Sequence, residues 1–399
     1  MRLPASRGAS RERAAGCRAR AGRRHRIDWH RARHPANGFA QHDRHLIGCM
    51  YGYKTELEQE GASMSASGAE MTAKPEGFSG IVTQVKVPLP FSLKWVNSYI
   101  LRDSRGFTVV DPGLHTEEAL AAWDAFLSEK GIRYPDIHTI VLTHQHPDHY
   151  GLAGLFQRRA GAPVLISRRS YAYTQRLWGK GRTFGADLTS LFSEHGMPAE
   201  QLEQVALHLE SFVEKVTPQP DVTFVEAGAT VSMGGLDWIA VDAPGHAGGQ
   251  LVFYAEERGW MLCGDQVLPD ITPNISVVPG EEDDPLEQFL NSLDRLGGYE
   301  VRLAFPGHRE PFAGFRERTR ELAAHHARRL DGLAEMLAEG PATGFACCER
   351  LFGARIAGNA HNLRFAMSET LAHLVHLERK GRAVREQRGE TVYFRASRT

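Results

Sequence analysis

The strongest constraint on this chain is the stretch Thr-His-Gln-His-Pro-Asp-His-Tyr-Gly at residues 143–151. It places three histidines and an aspartate within six positions, directly after an apolar run at residues 138–143 that predicts a buried strand. Imidazole and carboxylate together suit zinc, and also iron or manganese. Four such ligands exceed what one tetrahedral ion with an open water position needs, so the loop predicts two metal ions.

Three more potential ligands follow β-type runs that end in glycine. His246 comes after Ala243-Pro-Gly, Asp265 follows Gly264, and His308 follows Pro306-Gly. Because loops at one edge of a sheet converge in space, we expect all of these side chains to share one cleft. The predicted ligands are His144, His146, Asp148, His149, His246, Asp265 and His308.

Several other histidines lack this strand-end context. His373 and His376 lie three residues apart on a predicted helix, a spacing that suits a metal pair. We nevertheless expect none of the group to be a ligand. Its members are His138, His195, His208, His325, His326, His361, His373 and His376.

Bulk properties exclude several classes of protein. The formal net charge of -1 gives the whole molecule no electrostatic reason to bind nucleic acid or acidic lipid. No window approaches the roughly 20 apolar residues that span a bilayer, so we expect no membrane association. The five cysteines include no C-x-x-C pair, which predicts a reducing compartment without disulfides, and hence a cytoplasmic protein.

Residues 1–77 differ from the rest of the chain. Residues 1–50 contain twelve arginines, no lysine and three acids, without apolar periodicity. One interpretation is a basic arm or transit peptide, since transit peptides are rich in arginine and poor in acids. The other is a disordered extension, or translated upstream sequence ahead of a start at Met64 or Met71.

The remaining chain divides into two predicted domains. Strands and helices alternate over residues 78–315, which favours an α/β layered domain, with a helical insertion at residues 168–216. Residues 316–399 predict three helices followed by two strands around Arg388-Gly389, a pattern typical of a winged helix.

With these motifs in place, the sequence resembles the metallo-β-lactamase superfamily of αββα metallohydrolases. The loop His144-Gln-His-Pro-Asp-His149 matches the H-x-H-x-D-H motif of that family, and His246, Asp265 and His308 match its later ligands. Asp111, in Asp-Pro-Gly after a strand, matches its first motif. The resemblance covers residues 78–315 and implies a four-layer αββα sandwich, here followed by a small winged-helix domain.

The resemblance also implies a role for each residue. His144, His146 and His246 would hold one metal, while Asp148, His149 and His308 would hold the other. Asp265 would bridge the two ions, Asp111 would orient a ligand and the loop, and Asp148 would handle protons. Two Zn²⁺ ions, or iron or manganese, would then share a hydroxide that attacks the substrate. An alternative for Asp111 is a turn carboxylate that bonds its own backbone.

The substrate is left more open. The insertion at residues 168–216 is either a pocket wall above the metals or a helical pair packed beside the domain. Its aromatic residues are Tyr171, Tyr173, Trp178, Phe184, Phe192 and Phe212. The family resemblance favours a small thioester or ester, with chemistry like that of glyoxalase II.

Three other functions compete with the thioester or ester hydrolase. A metallo-endoribonuclease or phosphodiesterase would use the basic tail, where residues 377–399 hold seven basic residues and three acids. A β-lactamase proper is disfavoured because no export signal is evident. A non-catalytic binding protein is disfavoured by the complete ligand set. A homodimer is left open.

Overall fold

The computed structural model describes residues 80–397. The interpretations of residues 1–77 lie outside the described residues. Two sheets form the centre of the first domain, and helices cover their outer faces. No helix among residues 80–397 is long and apolar enough to cross a membrane.

The first sheet has six strands in chain order, β1 to β6. The first three pair antiparallel, and β3 to β6 pair parallel. Its strands are β1 Val82–Pro88, β2 Trp95–Asp103, β3 Gly106–Val110, β4 Ile137–Val141, β5 Val164–Ile166 and β6 Val222–Phe224.

The second sheet has five strands in the order β11-β10-β9-β8-β7. Only β10 and β11 pair parallel within it. Its strands are β7 Thr230–Met233, β8 Leu236–Asp242, β9 Leu251–Ala255, β10 Trp260–Gly264 and β11 Leu303–Pro306. The short, largely polar β7 was not predicted from its sequence, because it is an edge strand that buries little apart from Met233.

Alternating side chains of the strands build two cores. Tyr99 and Leu101 of β2 face the second sheet, where they meet Trp238 and Phe305, whereas Ile100 belongs to the core beneath the helices. This alternation follows from the period of two along a strand. The predicted four-layer arrangement of helix, sheet, sheet and helix is confirmed.

Seven α-helices belong to this domain among the described residues. In α1, Thr116 accepts a hydrogen bond from the Ala119 N–H at 3.1 Å, and Gly131 ends the helix with φ of 65°. The helix α7 was missed from sequence, although Asp284 caps it and Pro285 begins it. The helices are α1 Glu117–Lys130, α2 Pro147–Tyr150, α3 Ala153–Ala160, α4 Arg168–Trp178, α5 Phe184–Glu194, α6 Ala199–Glu210 and α7 Pro285–Leu296.

The insertion differs from its prediction in one respect. The sequence predicts a helical segment broken once near Gly179, but α4, α5 and α6 are three separate helices. The second break lies at Gly196, whose φ of 86° is disfavoured for residues with a side chain. A proline at position 198 then begins the turn into α6.

As far as residue 397, where the described chain ends, the last segment contains three α-helices and a small sheet of order β12-β14-β13. Antiparallel β13 and β14 form a hairpin that closes with Arg388 opposite Thr391. The winged-helix assignment itself stays a prediction. The elements are α8 Phe315–Glu339, β12 Ala342–Thr343, α9 Gly344–Phe352, α10 Ala360–Arg379, β13 Ala383–Arg388 and β14 Thr391–Ala396.

Candidate metal centre

All seven predicted ligands lie at one edge of the sandwich, in loops that follow strands. The loop after β4 runs into the short helix α2, and the other three ligands follow β8, β10 and β11. Backbone hydrogen bonds join these loops: Gly307 N–H donates to Gly264 C=O at 2.7 Å, and Leu251 N–H donates to Thr143 C=O at 3.0 Å. The sheets therefore hold the ligand loops in a rigid frame.

A first group of three histidines meets around His146. Its Nδ1 lies 3.1 Å from Nε2 of His144 and 3.0 Å from Nε2 of His246. His144 is fully buried and His246 nearly so. These three nitrogens lie within 4.8 Å of one another and could hold one metal ion.

A second group consists of Asp148, His149 and His308. Nε2 of His308 lies 3.4 Å from Oδ2 of Asp148, and Nε2 of His149 lies 4.0 Å from the same oxygen. These two groups are the same triads that the family resemblance implies.

Asp265 lies between the two groups. Its Oδ1 is 3.4 Å from Nε2 of His149, while its Oδ2 is 3.3 Å from Nε2 of His308 and 3.7 Å from Nε2 of His246. One carboxylate therefore contacts ligand atoms of both groups, which is the geometry that a bridging ligand requires.

In four of the ligand histidines, Nδ1 forms a hydrogen bond with a group that is not itself a predicted ligand. Since backbone carbonyls and carboxylates only accept, Nδ1 carries the proton and Nε2 keeps its lone pair for a metal. The Thr143 hydroxyl donates to Asp111 at 2.6 Å, so its oxygen is an acceptor toward His144. The partners are Thr143 Oγ1 for His144 (2.9 Å), Asp111 Oδ2 for His149 (2.9 Å), Asn274 C=O for His246 (2.8 Å) and Trp95 C=O for His308 (3.0 Å).

The Asp111 carboxylate connects β3 to the ligand loop. It accepts the Thr143 N–H at 2.8 Å, the Thr143 hydroxyl and the His149 Nδ1–H. The residue is buried and has φ of 51°, an uncommon conformation for a residue other than glycine. These hydrogen bonds go to the loop and to a ligand, which is the contact pattern expected of an orienting residue rather than of an isolated turn.

The donor set fits metal ions. Nε2 of His149 and Oδ1 of Asp265 are buried and have no hydrogen-bond partner. Unpaired buried polar atoms are costly, and one proton on Nδ1 of His146 cannot fully satisfy both facing Nε2 atoms of His144 and His246 at about 3 Å. Cations between these atoms would remove both penalties. Nitrogen and carboxylate ligands suit zinc, iron or manganese.

Electrostatics differs between the two groups. Burial, together with His149 and the neighbouring histidines, lowers the pKa of His144 well below its usual value. Burial also lowers the pKa of His308, but Asp265 and Asp148 outweigh it and raise that pKa to about 9. Burial would raise the pKa of Asp265, yet His308 and His149 hold it well below its usual value. The carboxylate-rich half therefore has the stronger attraction for cations.

The backbone of Gly307 lies so close to Asp265 that no side chain fits at position 307. A Cβ at Gly307 would lie 2.1 Å from Oδ1 of Asp265 and 2.7 Å from Cε1 of His149. Real Cβ atoms do not approach other atoms so closely, so the turn before His308 requires glycine.

A cleft with a cavity volume of about 90 Å³ opens above both groups. His146, Asp148, His246, Asp265 and His308 lie at its floor. Four of the six aromatic residues noted in the insertion line it, whereas Tyr171 and Phe192 do not. The lining ones are Tyr173, Trp178, Phe184 and Phe212.

Two further groups bring potential ligands together in the described part of the chain. His326, Glu369 and His373 are buried, but His326 hydrogen-bonds His373 at 3.0 Å, and the Arg329 guanidinium contacts Glu369. The other group is Asp284, Glu287 and His376. His373 and His376 thus belong to separate groups, and the prediction that neither is a ligand stays a prediction.

Sequence reasoning predicted Asp111 as an orienting residue but missed the residues that support His246. Asn274 provides the carbonyl for His246, and its Nδ2 donates to Oε2 of Glu369 in α10 at 2.9 Å. Neither residue lies in a recognisable motif, because their roles depend on a contact across 95 residues. Thr143 is the exception, since it lies within the stretch at residues 143–151.

Comparison with known proteins agrees with this fold. Residues 96–308 match the family model of the metallo-beta-lactamase superfamily, and residues 330–397 match that of the metallo-beta-lactamase-like C-terminal domain. The chain belongs to the metallo-beta-lactamase superfamily, as the resemblance predicted, and the superfamily match makes it a metallo-hydrolase.

Three relatives illustrate the range of the similarity. A metallo-beta-lactamase family protein from Thermus thermophilus is 35% identical, with 79% of this chain and 98% of that one covered and a TM-score of 0.71. A probable metallo-hydrolase of Bacillus subtilis (strain 168) is 28% identical over 79% of this chain and 97% of its own. An atrochrysone carboxyl ACP thioesterase of Aspergillus fumigatus is 24% identical over 55% of this chain and 53% of its own.

Proposed function

We propose that this chain hydrolyses small thioesters or esters with two metal ions per chain, which we take to be zinc, with iron or manganese as alternatives. The observation that carries the proposal is the position of Asp265, within 3.7 Å of ligand nitrogens from both groups. A carboxylate shared in this way is expected where two ions act on one substrate.

Bound ions supply a Lewis acid for the substrate carbonyl and bring the pKa of a coordinated water down to about 7. The protein's own part is orientation. Thr143, Asp111, Asn274 and Trp95 fix the histidine tautomers, so that ligand lone pairs face the cleft.

Asp148 is the residue that we propose to handle protons. Its side chain is 21% exposed, whereas those of Asp265 and His308 are more buried, and it lines the cleft. Burial raises its pKa, but His149 and His308 outweigh that effect and keep the carboxylate ionised. An ionised carboxylate beside the reacting groups is able to accept a proton from water and return it to the leaving thiol or alcohol.

The cysteines among the described residues are poor candidates for a competing nucleophile. Cys263, Cys347 and Cys348 are buried. Burial raises the pKa of Cys347 to about 11 and that of Cys348 to about 12, so their reactive thiolate forms are scarce at neutral pH. Hydrolysis by an activated water therefore accounts best for the site.

The names of the relatives support the choice of bond. One is named a probable metallo-hydrolase and another an ACP thioesterase. Because the second covers only 55% of this chain, it supports the thioester class and says nothing of the acyl group.

A nuclease acting through the basic tail has less support. Six of its seven basic residues lie in the described range, and each is ion-paired with an acid of the chain, so its charge is already neutralised in part. The pairs are Arg379–Asp283, Lys380–Glu287, Arg382–Asp331, Arg385–Glu378, Arg388–Glu386 and Arg395–Glu386. A cytoplasmic location and a homodimer stay predictions.

The test combines metal analysis with thiol release. Zinc-loaded full-length protein is assayed on a panel of acyl thioesters, beside His149→Ala, and the metal content of both proteins is measured. We expect two ions per chain and thiol release in the parent, and loss of both the second ion and the release in the variant. Two bound ions without release of any thiol or alcohol would refute the proposed reaction, and RNA cleavage would be assayed next.

A further inference from the structure

We propose that the cleft above the metal centre is a preformed acyl-binding site for an uncharged, apolar acyl group larger than acetyl. The proposal rests on the hydrolysis proposed above, and it adds the class of acyl group that the enzyme selects. Neither the family match nor the names of the relatives specify this group for the chain.

Three separate parts of the chain contribute large apolar side chains to the wall of the cleft. Phe91 comes from the loop between β1 and β2, Leu177, Leu188 and Leu209 come from the three helices of the insertion, and Phe365 comes from α10. The leucines are each 7% exposed or less, although they line an open cleft. The apolar wall is therefore recessed rather than spread over the outer surface, as expected of a small-molecule site.

Aromatic contacts join these parts into one rigid wall. The Phe91 ring stacks on the His361 ring at 4.4 Å and 7°, and it meets the Phe212 ring at 5.8 Å. Phe212 in turn lies 6.4 Å from Trp178, and His361 lies 5.0 Å from Phe365. Contacts of this geometry add to the stabilisation from burial alone, so the cleft is formed before any ligand arrives.

The wall is largely uncharged at neutral pH. His361 lines it and shares a hydrogen bond with His208, between Nδ1 of His361 and Nε2 of His208, at 3.1 Å. Burial, followed by Arg364, lowers the pKa of His361 to about 3. Within the described part of the chain, Arg364 is the single lysine or arginine among the cleft-lining residues, and its guanidinium lies over the Phe365 ring at 3.8 Å. One cationic side chain leaves most of this wall apolar, so an alkyl or aryl chain finds surface to contact.

The position of the cleft determines which part of the substrate it binds. The three leucines line the same cleft as His146, Asp148 and Asp265. A carbonyl placed at the metal ligands therefore has its acyl chain within reach of the apolar wall. Each methylene of the acyl chain that is buried contributes about 0.8 kcal/mol to the binding free energy. If this free energy is retained in the transition state, kcat/KM rises roughly fourfold per methylene.

The experiment uses zinc-loaded full-length protein and N-acetylcysteamine thioesters from acetyl to octanoyl. We expect kcat/KM to rise by about fourfold per methylene until the cleft is full. Leu209→Trp should lower the ratio of hexanoyl to acetyl kcat/KM by at least tenfold, because the indole occupies the wall. The matched control is Leu207→Trp on the same helix, where Leu207 is 66% exposed, and its ratio should equal that of the parent.

A second variant keeps the proposal testable if the first one misfolds. Leu188→Ala removes a side chain that is 1% exposed and enlarges the cleft, so the preferred acyl chain should become longer. Far-UV circular dichroism and thermal unfolding establish that each variant is folded. Binding of the non-hydrolysable thioether S-hexyl-N-acetylcysteamine is measured by calorimetry, where a negative heat-capacity change marks apolar burial.

The outcomes separate this proposal from the proposed function. Hydrolysis with no dependence on chain length, or with a preference for acetyl, overturns the acyl site and leaves the hydrolase standing. No hydrolysis, with thioether binding that Leu209→Trp abolishes, supports the acyl site and overturns the thioester reaction. Neither hydrolysis nor binding overturns both.

Discussion

Nδ1 of His246 donates a hydrogen bond to the backbone carbonyl of Asn274 at 2.8 Å. The side chain of Asn274 is in turn bound by α10: its Nδ2 donates to Glu369 at 2.9 Å and to the Phe365 carbonyl at 3.2 Å. The Arg329 guanidinium of α8 contacts the same glutamate. A predicted metal ligand is thus oriented through one residue by the C-terminal helices.

Removal of Glu369 should weaken the first metal group. Glu369→Ala leaves Asn274 without this acceptor and Arg329 without its carboxylate, so the carbonyl that orients His246 loses its support. Loss of an outer hydrogen-bond partner lowers metal affinity by about 10- to 100-fold, and we expect the lower value because Glu369 acts through Asn274. Zinc affinity is measured by competition with a chromophoric chelator.

The control for this prediction is Glu378→Gln on the same helix, where the glutamate pairs with Arg385 at the surface. Its zinc affinity should match that of the parent. Equal affinities in all three proteins would mean that α10 has no influence on the ligand.

Asp111→Asn should cause the loss of one metal ion although the new side chain has nearly the same shape. The new amide keeps an acceptor for Thr143 N–H, but an NH₂ group facing His149 forces its Nδ1 to become the acceptor. The proton then moves to Nε2, and the lone pair that the metal needs is lost. The measured metal content should fall from two ions toward one, whereas Asp237→Asn, at an exposed residue of β8, should retain two. Retention of both ions in Asp111→Asn would contradict the assigned tautomer.

Gly307→Ala should disable the centre by sterics alone. Its Cβ would lie 2.1 Å from Asp265, so the carboxylate or the backbone must shift. We expect loss of hydrolysis and weaker metal binding with the fold retained. Gly332→Ala, at a helical position with no atom within 4 Å of the added Cβ, is the control and should gain about 0.5–1 kcal/mol in stability. Full activity of Gly307→Ala would refute the close approach.

Stability should depend on pH through the buried histidines of the C-terminal helices. Burial, followed by Arg329, lowers the pKa of His373 to about 3, against about 6.5 in an unfolded chain. The unfolded chain therefore binds a proton first as the pH falls. The contribution of His373 to the free energy of unfolding is fully present above pH ~6.5. As the pH falls from there toward ~3, this contribution should decrease by about 1.4 kcal/mol per pH unit.

Urea unfolding at pH 7, 6 and 5 measures this dependence. In His373→Gln, whose side-chain oxygen still accepts the bond from His326, the slope below pH ~6.5 should be shallower by about one proton. Identical slopes in the two proteins would show that His373 does not stay neutral in the folded state.

The first helix and the insertion show where sequence reasoning was accurate and where it was not. The spacing of Leu120, Trp123 and Leu127 predicts a helix at Glu117–Lys130, and the structure has it with these ends, because this periodicity lies within neighbouring turns of the chain. The number of helices in the insertion, strand β7 and helix α7 were missed. Their start and stop signals are short, and tertiary packing decided among the alternatives.

The sequence by itself determined the family and predicted the metal ligands, because potential ligands follow a strand within a few residues at four places. Only the tertiary structure decided that Glu369 supports His246 through Asn274, and that distant segments of the chain share one apolar cleft. The physical reason is the separation along the chain. Asn274 and Glu369 are 95 residues apart, and the stacked rings of Phe91 and His361 are farther apart still, so these contacts leave no periodicity or spacing in the sequence. The sheets and helices that bring such partners together are themselves products of folding.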